Sequence, residues 1–264
     1  QRQMCIRDRY YCIQLLKNFN RRFAMKIHLI NPNTSQHMTE QMQESAQAVA
    51  NASTEIVGRT PKHGAVSIES HFDEAMSIVG VAEEVRKADS EGADGMILAC
   101  FGDPNIWAVR ELTDKPVIGI AQAGFVMASM ISTQFAVVTS LQRTVIIAKH
   151  LLQQYGYRHL CPQVLAVDLP VLALEDDTAL KAIISKSIQA RDNGAGAIVL
   201  GCGGMSHLTD TIEQAVGIPV IDGVKSAVKL IEAMVGMNLK TSKHGDLAFP
   251  IAKPFLGDLH RFGA

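Results

Sequence analysis

The features missing from this 264-residue chain narrow its function before any motif is considered. No run of about 18 consecutive apolar residues occurs, so the sequence offers no membrane-spanning helix. No Ala-x-Ala signal-peptide end is visible either, and a cytoplasmic protein is expected. Neither sign of charge is in excess, with 25 Lys and Arg against 26 Asp and Glu, which leaves no field to draw nucleic acid or an anionic membrane. The five cysteines, at positions 5, 12, 100, 161 and 202, are too widely spaced for a disulfide framework, so free thiols are expected. HExxH and CxxC are absent, the glycines of 92–102 do not form a dinucleotide fingerprint, and Gly201–Gly204 is not followed by the Lys of a phosphate loop. The sequence therefore predicts neither a metal nor a cofactor, and without a Gly-x-Ser-x-Gly elbow it gives no support to a hydrolase.

What is present is a compact α/β composition, 47% hydrophobic with 20 glycines, and a repeat. Gly92-Ala-Asp-Gly-Met-Ile-Leu-Ala-Cys100 is answered by Gly194-Ala-Gly-Ala-Ile-Val-Leu-Gly-Cys202. Downstream, Lys115-Pro-Val-Ile-Gly119 is answered by Ile218-Pro-Val-Ile-Asp222 after one inserted residue. Hydrophobic periodicity predicts strands at 26–30, 54–59, 95–99, 117–120, 135–138, 197–200 and 220–221. Helices are predicted at 36–51, 70–90, 124–131, 144–155, 177–193, 207–216 and 224–237, with a further helix running to 112 from an Asp103-Pro104 start. The segment 161–174, interrupted by Pro162 and Pro170, is left without an element. Such alternation implies mostly parallel sheets covered on both faces, with ligands beyond the carboxyl ends of the strands. Residues 25–122 with about 223–264 are expected to form one half and 123–222 the other. The basic stretch 1–24 has six Lys or Arg and one acidic residue; it is expected to be an extraneous leader ahead of Met25.

Cys100 and Cys202 fall at equivalent strand exits. The plain reading of either is a buried structural thiol. The glycines after each favour inward-turned amides and a stabilised thiolate, and the duplication sets two thiols on opposite sides of one ligand. Inverting a carbon acid needs a base on one face and an acid on the other. The developing charge needs donors, for which the amides of Phe101, Gly102, Gly203 and Gly204 and the side chains of Asn33, Thr139 and Ser140 are candidates. A disulfide between the two cysteines is the competing use. His63, His71 and His207 lie near the site loops and read more simply as solvated or supporting groups than as bases. Asp168 and Asp222 are candidate buried carboxylates, and Met38 and Met42 read as core.

The stretches KIHLINPNTS (26–35), GAVSIESHFDEA (64–75), GMILACFGDP (95–104), KPVIGIAQA (115–123), FAVVTSLQRT (135–144), GAIVLGCGGMSHL (196–208), GIPVIDGVKSAVKL (217–230) and TSKHGDLAFP (241–250) together resemble the aspartate/glutamate/hydantoin racemase superfamily. The similarity is greatest to its hydantoin and allantoin racemase branch. It implies two pseudo-symmetric Rossmann-like halves with a cofactor-free site between them and one catalytic cysteine from each, here Cys100 and Cys202. The substrate it implies is a 5-substituted hydantoin, inverted at ring carbon 5 by two thiols, and the partner set is that small molecule plus further copies of the chain in a homo-oligomer. Racemisation of aspartate or another amino acid is an alternative, although the cysteine loops carry no Arg. Arylmalonate-type decarboxylation is disfavoured because those relatives keep only one of the paired cysteines. A non-catalytic binding protein gives twin thiols no purpose.

Overall fold

The computed structural model describes residues 25–174 and 176–263, and the leader expected at 1–24 lies outside them. The first sheet is built from β1 (Met25–Ile30), β2 (Thr54–Arg59), β3 (Gly95–Leu98) and β4 (Val117–Gly119), and between them run α1 (Gln36–Val49), α2 (His71–Ser90) and α3 (Ile106–Leu112). The second sheet comprises β5 (Phe135–Thr139), β6 (Gln163–Ala166), β7 (Ala197–Gly201) and β8 (Val220–Ile221); the helices from α4 (Ile120–Ile131) through α5 (Gln142–Gln154), α6 (Asp177–Asp192) and α7 (Thr209–Val216) run among them in the chain, and α8 (Gly223–Gly236) follows β8. All strand pairs are parallel, and both sheets have one order, β2-β1-β3-β4 and β6-β5-β7-β8. The expected α/β class with two matching parallel sheets is therefore what forms.

The apolar runs explain the layering. Every residue of β3, β5 and β7 is buried, which requires helices on both sheet faces. Helix α1 starts where the Ser35 side chain accepts from the Met38 amide, and its Met38, Met42 and Ala46 turn inward as core. Helices α4 and α8 bring the halves together: α4 lies on β7, α8 lies on β3 and β4, and the two pack on one another. Their N-termini meet so closely that a side chain at Gly223 would collide with the Ile120 carbonyl. Phe125 of α4 centres an aromatic cluster, edge-on to Phe101 at 5.6 Å and stacked on Phe135 at 6.0 Å.

The structure corrects three expectations. The segment 161–174 contains β6, paired along Gln163–Ala166 with β5. Helix α4 starts at Ile120, directly after β4, rather than at Gly124. Asp103 does not cap the helix that follows it. Asn105 precedes α3 in a left-handed conformation with φ 59°, without a side-chain cap. Asp103, itself at φ 42°, turns its carboxylate to the N-terminus of α4, where Oδ1 accepts from the Ala121 amide at 3.0 Å and Oδ2 from the Gln122 amide at 3.0 Å.

Candidate active site

β3 ends at Leu98, the Ala99 amide is anchored to the Ile30 carbonyl at 2.8 Å, and Cys100 follows in the turn. In the second half β7 ends at Gly201 and Cys202 leads into a 3-10 turn, Gly203–Leu208. Beside it β5 delivers Thr139 and Ser140. Both cysteines line one cavity of about 40 Å³ together with Phe101, Gly102, Thr139 and Ser140. Five predicted residues therefore converge with Cys100 at the carboxyl ends of the two sheets, where parallel α/β folds hold ligands. Close approach of β5 and β7 requires Gly201, since a Cβ there would lie 2.7 Å from that of Thr139.

Asn33, Gly203 and Gly204 do not line the cavity. Asn33 Oδ1 is taken up by its own turn, accepting from Asn31 Nδ2 at 2.8 Å and from the Ser35 amide at 2.9 Å. Gly203 is packed under Met42 and Ile120, and Gly204 lies against the Cys202 sulfur. His63 and His207 are exposed. Asp168 is also exposed, whereas Asp222 is buried and caps α8 through the Val224 amide at 2.8 Å. Among the described residues no cluster of three His, Cys, Asp or Glu side chains is placed to hold a metal ion.

The cysteines are free thiols, each keeping some exposed surface, yet protein atoms surround both densely. Burial pushes Cys100 far above the ordinary thiol range and Cys202 up to about 11. The amides of Gly102 and Gly204 donate to the sulfurs and oppose this, but more weakly. The amides act in the direction expected of the glycine loops, but in the closed cavity desolvation of a thiolate outweighs one amide donor.

Sequence reasoning missed the cavity's one side-chain carboxylate among the described residues, that of Glu74 on the first turn of α2. Its Oε2 is 3.1 Å from His71 Nδ1, while Oε1 is buried and finds no partner among the described residues. Burial raises its pKa, and His71 pulls it partly back. The i,i+3 spacing from His71 is its only sequence signal. Ile68, Thr144, Ile147, Ala148 and Val171 complete the wall. Above it, Glu69 Oε1 accepts from the Val171 amide at 2.8 Å and clasps the loop before α2 to the second half. The space suits about one water molecule, so a larger ligand enters only when the walls part. An open groove of about 500 Å³ adjoins the cavity at Glu74, Gly102 and Ile147.

Two like sheets carrying equivalent thiols to one cavity make an arrangement suited to an isomerase that moves a proton. Residues 27–231 match the Asp/Glu/Hydantoin racemase family model, and the chain belongs to that family. It is 45% identical over 236 residues to the hydantoin racemase of Rhizobium meliloti, covering 88% of this chain and 98% of the relative. Among solved structures it is similar to the allantoin racemase of Klebsiella pneumoniae, with 50% identity, TM-score 0.88, and coverage of 91% of this chain and 99% of that one. The allantoin racemase of Pseudomonas fluorescens matches at 37% identity and TM-score 0.84, over 88% of this chain and 100% of that one. The chain is accordingly an isomerase of the racemase class.

Proposed function

We propose that the protein racemises 5-substituted hydantoins, allantoin among them, with Cys100 and Cys202 as the acid–base pair and no cofactor. The presence of both thiols on the wall of one cavity carries this reading. One cysteine, as thiolate, takes the proton from ring carbon 5. The electron pair of the broken C–H bond passes into the ring carbonyls and leaves a planar enolate-like anion. The second cysteine, as thiol, delivers its proton to the opposite face, so the centre inverts and the charge state of the pair is exchanged. The Thr139 and Ser140 hydroxyls and the amides after each cysteine are the donors available to the anion.

An amino-acid substrate fits less well. Its carboxylate needs a cationic partner, and among the described residues no Lys or Arg lines the cavity. Arg143, near the exit of β5, is exposed and is not part of the wall.

The reading is tested by incubating one enantiomer of a 5-substituted hydantoin, and separately of allantoin, in heavy water while following optical rotation and deuterium at carbon 5. Enzyme-dependent loss of rotation with label uptake is expected. Cys100→Ser and Cys202→Ser should each abolish racemisation, because exchange on one face cannot invert the centre. Racemisation surviving in either variant contradicts the two-thiol mechanism, and no enzyme-dependent exchange on any of these substrates removes the hydantoin reading altogether.

A further inference from the structure

The cavity holds a polar atom that the described protein leaves unanswered. Glu74 Oε1 is buried without a hydrogen bond, although its twin Oε2 is engaged by His71. Gly102 leaves it this room, since a side chain there would meet Oε1 and shift the carboxylate. A buried acceptor left unpaired destabilises the fold, and native structures keep few of them. No Lys or Arg among the described residues lines the cavity, so a ligand N–H that takes the place of the single water it fits can supply the missing donor.

We propose that Glu74 is a substrate-recognition residue whose Oε1 accepts a hydrogen bond from a ring N–H of the bound hydantoin. This rests on the hydantoin reading above and deepens it. A hydantoin ring has two N–H groups, one beside the reacting carbon and one between the carbonyls. An acceptor next to Cys100 can hold either and so fix the ring's orientation against the thiols. The bond forms in the ground state and gains nothing as negative charge develops on the ring. Glu74 therefore acts mainly on KM, with a smaller effect on kcat.

The test compares one hydantoin racemised by the wild type with its N1-methyl and N3-methyl analogues, in the wild type, Glu74→Ala and Gly102→Ala. In the wild type, methylation of the recognised nitrogen should lower kcat/KM about 10- to 100-fold, the range expected for a hydrogen bond to a charged group. Glu74→Ala should lower kcat/KM on the parent by a similar factor, mostly through KM, and close the gap between parent and methylated substrate. Gly102→Ala, which displaces the carboxylate without removing it, should narrow the same gap. The ratio of two substrates on one preparation is insensitive to how much of a variant folds. A wild type active on the parent but indifferent to methylation at both nitrogens overturns the proposal, as does a penalty of equal size in the wild type and Glu74→Ala. A wild type that racemises no hydantoin overturns the underlying reading instead, and this inference falls with it.

Discussion

At the scale of single residues, the thiols pose a problem of supply. A proton acceptor must be a thiolate, and burial holds Cys100 far above the usual range and Cys202 up to about 11. Only a small fraction of the pair is ionised at neutral pH, and that fraction grows with pH until the lower of the two groups titrates. The expected outcome is a kcat/KM that climbs from about pH 7 to beyond pH 9, approaching tenfold per unit on its steep part, because kcat/KM reports the free enzyme. A rate profile already flat at neutrality would show that the thiols are not held up in this way. The two cysteines were legible in the sequence because a repeat exposes equivalent positions. Glu74 was not, since periodicity identifies the inward face of α2 but not which first-turn side chain meets the opposite half. Asn33 lies off the closed cavity because a turn-forming Asn often spends its side-chain oxygen on its own turn.

At the scale of elements, Asp103 shows how a correct local signal can serve a distant helix. Its carboxylate caps α4, accepts the Tyr155 hydroxyl at 2.9 Å, and so joins the loop after Cys100 to α4 and the end of α5. Burial pushes this carboxyl up to about 7. Asp103→Ala should lower stability by about 0.5–2 kcal/mol for the lost cap, with a further loss from the Tyr155 hydroxyl left without its acceptor. Urea unfolding measures it, and an unchanged midpoint would mean that α4 needs no cap from this side. The alternation of strands and helices was plain from periodicity. The β6 strand was hidden between Pro162 and Pro170, and the early start of α4 was hidden because Val117–Ala121 reads as one continuous apolar run. Local pattern cannot divide such a run between strand and helix when the capping group lies elsewhere in the sequence.

At the scale of the whole molecule, one buried histidine links stability to pH. His28 lies inside β1, fully buried, with Nδ1 accepting from Arg59 Nε at 3.0 Å and Nε2 without a partner among the described residues. Burial, then the Arg59 charge, lowers its pKa from 6.5 to about 4. The folded pKa lies below the unfolded one, so the stability it confers is complete above about pH 6.5 and is lost as pH falls toward about 4. Between these limits its contribution to the slope approaches 1.4 kcal/mol per pH unit. His28→Gln, which does not titrate, should flatten that part of the curve in urea unfolding at several pH values, and an unaltered slope would remove His28 as its source. The matched order of the two sheets carries a different kind of consequence. The substrate and product of a racemase are mirror images of equal free energy, so kcat/KM must be the same in both directions. That equality holds whatever groups act; on the two-thiol mechanism proposed above, a chain that uses one strand exit twice sets the same group on either face. Any difference between the separate kcat and KM values of the two enantiomers then falls to the positions where the repeat is broken, such as the aromatic Phe101 against Gly203 beside their respective cysteines.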